Sequence, residues 1–359
     1  MVALDIVSGG PTVSVIVPAR NEEACLGACL ESLAAQSGVP FEIIVVDDAS
    51  TDHTREIAQS FPSVRVVNAS PPLPGWTGKN NAMVAGAEVA RAEWLLFTDA
   101  DTVHKPGSLA RAVAEARQSG AALLSYSPEQ EVHGFWERAV MPVIFGELAA
   151  TYQPSQVSDP RAPTAAANGQ YILILREAYD AVGGHAALSN SLLEDVSLAR
   201  AVKSSGRKIL FRYGADAVRT RMYRTFAQLC EGWTKNLALL FPSPTRLALL
   251  RLTEFVLIAG GLAAAIAAGL RGHVKPALAA AILGATVYAL FLKRIRRAHF
   301  SWSVNVFSLL GLPVFSYLLF RSWLAHKKGS VSWKGRTYGR NTNHVGADAL
   351  VRPAERSSA

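Results

Sequence analysis

The sequence predicts an α/β fold, a mostly parallel sheet with helices on both faces, followed by helices that enter a membrane. Three observations carry this expectation. Over about the first two hundred residues, short apolar runs alternate with helical patterns, the signature of strand–helix repeats in one sheet. Two of those runs, Ile43–Val46 and Trp94–Phe97, are continuously apolar, as strands buried on both faces must be. After about Phe241 the composition changes to long apolar segments separated by basic residues.

Each element has its own local reason. Val13–Val17 reads as the first strand, and Glu22–Ala35 as a helix with Cys25, Leu26, Cys29, Leu30 and Leu33 on one face. Phe41–Val46 is a second strand, Asp52–Ser60 a helix and Val64–Val67 a third strand. The Pro/Gly loop Pro71–Gly78 precedes a helix at Asn80–Arg91 and a fourth strand at Trp94–Thr98. Pro106 suits the first position of the next helix, which runs to about Ser119 before a strand at Ala121–Tyr126.

Charge divides the chain more sharply than its net value of +8 suggests. Residues 1–203 carry 13 Lys/Arg against 23 Asp/Glu, whereas residues 204–359 carry 23 against 5. The basic half also holds the long apolar runs, which points to an anionic membrane surface as the partner. The first half lacks basic stretches interleaved with aromatics, so no nucleic-acid partner is expected. Three cysteines, Cys25, Cys29 and Cys230, make neither a disulfide framework nor a metal site, and imply a reducing compartment. Met1 to Pro11 has no basic start followed by an apolar core, so no cleaved signal peptide is expected and the first domain should stay in the cytoplasm.

Leu252–Leu270, Pro276–Leu292 and Val304–Leu324 are each about long enough to cross a hydrocarbon core of roughly 30 Å. Gly260, Gly261, Ala264 and Gly284 would allow close helix packing there. The basic cluster Lys293, Arg294, Arg296 and Arg297 favours the cytoplasm over the smaller Arg271 and Lys275. Three crossings from a cytoplasmic domain would then leave Lys327, Lys328, Lys334, Arg336 and Arg340 outside, against the same rule. Either the tail is external or one segment is re-entrant or interfacial, with Gly311 and Pro313 marking the third. Two further stretches, near 137–150 and 226–240, carry an apolar stripe beside basic residues, the pattern of a helix lying in the membrane interface or facing a core. The expected layout is therefore a cytoplasmic domain over 1–240, a membrane domain over 241–326 and a basic tail over 327–359.

The chemistry gathers at strand ends, where open parallel sheets bind ligands. Thr98-Asp99-Ala100-Asp101-Thr102 ends one strand, and two carboxylates so close call for a cation; a hard divalent ion that bridges phosphates answers that need. Val45-Val46-Asp47-Asp48-Ala49-Ser50-Thr51-Asp52 ends another, and helix capping explains only part of it. Pro18-Ala19-Arg20-Asn21-Glu22-Glu23 follows the first strand. Gly75-Trp76-Thr77-Gly78-Lys79-Asn80 delivers a lysine at a helix start, a fitting place to meet phosphate. No GxGxxG follows the first strand, which disfavours a dehydrogenase.

The ordered set PARNEE, VVDDASTD, GWTGKNNA, LLFTDAD, NGQYILILREAYDAVGGH and LLEDVSLARAVKSSG resembles family-two glycosyltransferases of the GT-A fold, over about residues 12–240. GWTGK preceded by PPLP is most similar to the lipid-modifying branch, which includes hopanoid-associated, carotenoid and ceramide-type glucosyltransferases. The resemblance implies a nucleotide-sugar donor, most often a UDP-sugar, a lipid acceptor at the cytoplasmic face of the cell inner membrane, and Mg2+ or Mn2+. It implies that Pro18, Arg20, Glu22 and Asp48, with Asp47 beside them, border the nucleobase and ribose. Lys79 and Asp99 would lie by the ribose and diphosphate, and Asp101 would hold the metal. Asp195 matches the catalytic base, with Glu194 next to it. Gly169, Gly183, Gly184 and His185 match walls of the acceptor pocket. Processive relatives carry Gln/Arg-x-x-Arg-Trp on an interfacial helix; here Leu229-Cys230-Glu231-Gly232-Trp233 keeps Trp233 and lacks the arginine, so Lys235 is left to meet phosphate. That departure favours adding one sugar over polymerising. Transfer to a polyprenyl phosphate, processive synthesis and nucleotidyl transfer stand as the alternatives.

Overall fold

The computed structural model describes residues 10–339; Met1 to Gly9 and the end of the basic tail from Arg340 lie outside the described residues. The strands are β1 (Val13–Ala19), β2 (Phe41–Asp47), β3 (Val64–Asn68), β4 (Trp94–Phe97), β5 (Thr102–His104), β6 (Leu123–Ser127), β7 (Glu129–Gln130), β8 (Ile172–Leu175), β9 (Ile209–Tyr213), β10 (Val218–Thr220), β11 (Val331–Trp333) and β12 (Arg336–Tyr338). The helices are α1 (Leu26–Ala34), α2 (Thr54–Gln59), α3 (Gly78–Val89), α4 (Ser108–Ser119), α5 (Phe135–Thr151), α6 (Pro154–Ser158), α7 (Arg176–Ala181), α8 (Glu194–Ser204), α9 (Phe226–Leu240), α10 (Pro244–Leu270), α11 (Val274–Ile295), α12 (Trp302–Phe307) and α13 (Gly311–Lys328).

The described residues form two compact units, residues 10–131 with 154–221, and residues 132–153 with 222–339. This grouping differs from a single cut near residue 240, because α5 and α9 carry apolar stripes that pack with the C-terminal helices.

In the first unit a seven-stranded sheet runs in the order β3-β2-β1-β4-β8-β6-β9, and β8 alone opposes its neighbours. The order turns at β1, with β2 and β3 on one side and β4 on the other, which opens a crevice at their carboxyl ends. The helix α3 lies so close to the sheet that a Cβ at Gly86 would stand 2.5 Å from the Ile16 side chain. A small sheet, β5-β10-β7, adjoins the end of β4. Two local expectations are corrected. Helix α4 begins at Ser108 rather than Pro106, because Gly107 takes a left-handed turn (φ 71°) before it. Helix α1 begins at Leu26 rather than Glu22, because Asn21 is itself left-handed (φ 53°) and a turn closes on the Glu22 carbonyl.

In the second unit, Pro244–Leu270, Val274–Ala298 and Trp302–Lys328 are long and apolar enough to cross a membrane. They are unlike. The first two are mostly exposed, whereas about half of the third is buried, and the third is broken into α12, a 3-10 turn at Ser308–Leu310 and α13. Of the small residues expected to pack, Gly261 meets Gly284, where an added Cβ would stand 3.1 Å from its Cα, while Gly260 faces open space. The stripes read as interfacial are covered within the unit: Val140, Val143 and Ile144 of α5 and Leu229, Trp233 and Leu237 of α9 share a core with Leu312, Phe315, Leu318 and Leu319 of α13. Period alone cannot tell a stripe facing lipid from one facing another helix, and here the helices provide the partner.

Candidate active site

The site lies in the first unit, at the carboxyl ends of β1, β2 and β4 and at the first turns of α3 and α8. The loops after β1 and β2 interlock. The Asp48 amide donates to the Ala19 carbonyl (2.9 Å), and the Arg20 guanidinium donates back to the Asp48 carbonyl (2.6 Å). Asn21 accepts from the Thr51 amide, and the Glu22 amide donates to the Thr54 hydroxyl. Asp47 accepts from the Ser50 amide at 3.3 Å. Pro18, Arg20, Glu22, Asp47 and Asp48 are thus one assembly, with both aspartates buried. Asp52 accepts from the Thr54 amide in the turn ahead of α2, whose N-cap position is His53.

Across the switch in strand order sits a cluster of charges. The Lys79 ammonium lies 2.8 Å from Asp99 and 2.8 Å from Glu194. Burial would lower its pKa, but the two carboxylates, Asp99 foremost, hold it well above the ordinary lysine value. Asp195 accepts from the Gly169 amide (3.0 Å) and from the Val196 amide (2.8 Å). Burial first, and the Glu194 charge second, push the Asp195 pKa up to about 6, against the pull of Lys79. Gly169 is confined by these groups, since a Cβ there would stand 3.2 Å from the Lys79 nitrogen and 3.6 Å from a carboxylate oxygen of each of Asp195 and Glu194.

Several residues that hold the cluster escaped the sequence reading. The Asn80 amide donates to the carbonyls of Leu188, Ser189 and Ser191, and the Thr77 amide to Ser189, which ties the loop before Glu194 to the start of α3. Asn80 sits behind the Thr77 cap of that helix, so the sequence signal was its place in the first turn. Thr98 donates to the Gln170 carbonyl, Gln170 donates to the Thr220 hydroxyl, and Thr220 donates to the Asp101 carbonyl. This chain sets Asp101 relative to the Gly169 loop.

Gly184 and His185 are buried. A Cβ at Gly184 would meet the Tyr179 ring at 2.5 Å, while the Tyr179 hydroxyl accepts from the His185 amide and lies 3.0 Å from its Nδ1. Burial, with Lys79 adding to it, lowers the His185 pKa to about 4 despite Glu194, so the ring is neutral. Gly183, left-handed at φ 74°, makes the turn ahead of them. Trp233 and Lys235 belong to the second unit, Trp233 in its core and the Lys235 ammonium 5.2 Å over the Trp333 ring.

Among the described residues no three His, Cys, Asp or Glu side chains converge as a preformed metal site. Asp99 and Asp101 offer oxygen only, and Asp99 already holds a cation, the Lys79 ammonium. Such a donor set fits a hard divalent ion that completes its shell with diphosphate and water, as Mg2+ characteristically does.

A sheet with this order, acidic strand ends and a lysine at the switch point forms a ligand site of the kind that open α/β sheets build at the carboxyl ends of their strands. The family described as Glycosyl transferase family 2 matches residues 14–183. A 4,4'-diaponeurosporenoate glycosyltransferase of Staphylococcus aureus (strain USA300) is 30% identical over 338 residues, covering 91% of this chain and 88% of the relative. The chain belongs to glycosyl transferase family 2. Among solved structures, a mannosyltransferase from Pyrobaculum calidifontis in complex with GDP-Man and Mn2+ shares the fold with a TM-score of 0.50 and 17% identity, covering 89% of this chain and 87% of that one.

Proposed function

We propose that this glycosyltransferase moves one sugar from a UDP-sugar, with inversion at the anomeric carbon, to a carotenoid-type lipid at the cytoplasmic face of the cell inner membrane. The observation that carries this reading is the placement of Asp195, anchored by the Gly169 and Val196 amides next to Glu194 of the Lys79–Asp99–Glu194 cluster, where burial raises its pKa above the ordinary carboxylate value. An acceptor hydroxyl is a poor nucleophile until a base takes its proton, and a base that titrates near working pH does this best. Asp195 is that base, and its carboxylate is held in place by the Gly169 amide on one oxygen and the Val196 amide on the other.

The other residues divide by position. Pro18, Arg20, Glu22, Asp47 and Asp48 border the nucleobase and ribose. Lys79 and Asp99 meet the diphosphate, and Asp101 holds Mg2+ or Mn2+. When bound there, a divalent ion supplies Lewis-acid stabilisation of the leaving diphosphate. Lys79 carries a retained positive charge to the same place. One direct displacement inverts the sugar, by the stereochemical logic of inverting hydrolases. Gly169, Gly183 and Glu194 line the acceptor side, and Gly184 and His185 back it; Trp233 and Lys235 keep the acceptor and interface role that the family resemblance implies.

The relative's name supports the acceptor class, and the three candidate spans support an acceptor met in the bilayer. The missing arginine before Trp233 supports single transfer over polymerisation. Membranes holding the protein, given a panel of labelled nucleotide sugars and then extracted, test the reading. Label from a UDP-sugar should enter the neutral or carotenoid lipid fraction. Label only in polyprenyl phosphate, or only in polymer, would sink it.

A further inference from the structure

Hairpin geometry in the second unit bears on the lipid surface that this chain takes as partner. Helix α5 is joined to the first unit at both of its ends, through residues 131 and 154, so both ends stay on the catalytic side of a membrane. A buried quartet of charges pins two other helices to it. Glu147 of α5 lies 2.9 Å from Arg251 of α10 and 2.9 Å from Arg294 of α11. Glu254 of α10 closes the set, at 3.0 Å from Arg251 and 2.7 Å from Arg294. Arg251 stands near the start of α10 and Arg294 at the end of α11, so both helices root on the same side.

From that root the hairpin presents bare apolar side chains. Leu262, Ile266, Leu270, Val274, Leu278 and Ile282 are all more than half exposed. The 22 residues of α11 rise about 33 Å, enough for a hydrocarbon core of roughly 30 Å. Arg296 and Arg297 follow at the root, where the positive-inside rule asks for them.

The third apolar segment takes another course. Phe300 packs on Phe145 of α5, with ring centroids 6.3 Å apart. A Cβ at Gly311 would overlap the Ala139 carbonyl, again of α5. Phe315 meets Phe241, the Ser322 hydroxyl accepts from the Ala238 amide, and His326 Nε2 lies 2.8 Å from the Lys235 carbonyl oxygen. Trp333 then lies under the Lys235 ammonium. From residue 300 to 333 the chain packs on α5 and α9, which both precede the first crossing, while α13 also packs along α10 through Ala248 and Ile258.

We infer that only α10 and α11 cross the bilayer, as a hairpin, and that the third segment lies along the catalytic face and returns the basic tail to that side. This rests on the membrane-bound, cytoplasmic reading given above. It also removes the conflict that three crossings create with the basic residues Lys327, Lys328, Lys334 and Arg336.

Single cysteines introduced in the full chain test it with a membrane-impermeant maleimide. His273→Cys, at the hairpin tip, should be labelled in intact cells. Arg297→Cys and Ser332→Cys should be labelled at least 10-fold more after permeabilisation than before, above the unsubstituted chain. Labelling of Ser332→Cys in intact cells, with Arg297→Cys protected, means three crossings and overturns the inference. Extraction of the unsubstituted protein by alkaline carbonate would remove the membrane reading itself, and is scored separately.

Discussion

Lys79 and Glu194 face each other at 2.8 Å, although one opens α3 and the other opens α8. The contact joins Lys79, proposed to meet the donor, to Glu194, the neighbour of the proposed base, so a change at either end should be felt at the other. Lys79→Met should raise the donor KM about 10- to 100-fold, the size of a charge-assisted hydrogen bond. It should also move the acid limb of the kcat/KM profile above pH 6, because the Lys79 charge now lowers the Asp195 pKa. A profile that stays in place would separate the two residues.

Asp101→Ala should abolish nearly all transfer while leaving the thermal transition within a few degrees of the parent. The residue sits in the turn after β4, and its structural bond to Thr220 is made by its backbone carbonyl, which the substitution keeps. Activity of the parent should vanish in excess chelator and return with Mg2+ or Mn2+. Full activity in chelator would remove the metal from this site.

His185 gives a pH signature. Its folded pKa, about 4, lies below the ordinary 6.5, so the unfolded chain binds a proton first as pH falls. The stability present above pH 6.5 should therefore be lost between 6.5 and 4, by on the order of 3 kcal/mol from this group alone. His185→Gln should start less stable and show a flatter dependence over that window in thermal unfolding. An equal slope in both proteins would contradict a neutral buried ring.

The buried quartet offers a contrast. Arg294→Met takes a partner from both Glu147 and Glu254, leaves two carboxylates to Arg251, and should cost about 3–5 kcal/mol, whereas Arg294→Met with Glu254→Met leaves Arg251 paired with Glu147 and should recover most of it. Thermal unfolding in detergent reads both.

Much of this was legible in the sequence, because strand ends are marked by residues that no core requires. Asp47, Asp48, Asp99 and Asp101 follow apolar runs, and the structure brings their loops to one edge of the sheet. The alternation of β1 to β4 with helices was read directly, but β8 was not, since an antiparallel strand buried on both faces has the same apolar pattern as a parallel one. The start of α4 was misread because Pro106 fits a first turn, and only Gly107 and its left-handed φ move that turn two residues on. The stripes of α5 and α9 were visible while their partner on α13 was not, because period gives a face and not its neighbour. Asn80 and Thr220 act through bonds to distant backbone, which no local pattern announces.

The central claim is that Asp195 takes the acceptor proton, and Asp195→Asn tests it most directly. The substitution keeps the shape and removes the proton acceptor. Single-turnover transfer should fall by about 10²–10⁴-fold, as loss of a general base typically does. Donor affinity, measured separately, should change little, since the donor contacts are assigned to Asp48, Lys79, Asp99 and Asp101. Glu194→Gln, the adjacent control, should keep more transfer than Asp195→Asn. Near-normal single-turnover transfer by Asp195→Asn, whether donor binding weakens or the loss falls instead on Glu194→Gln, would contradict the account.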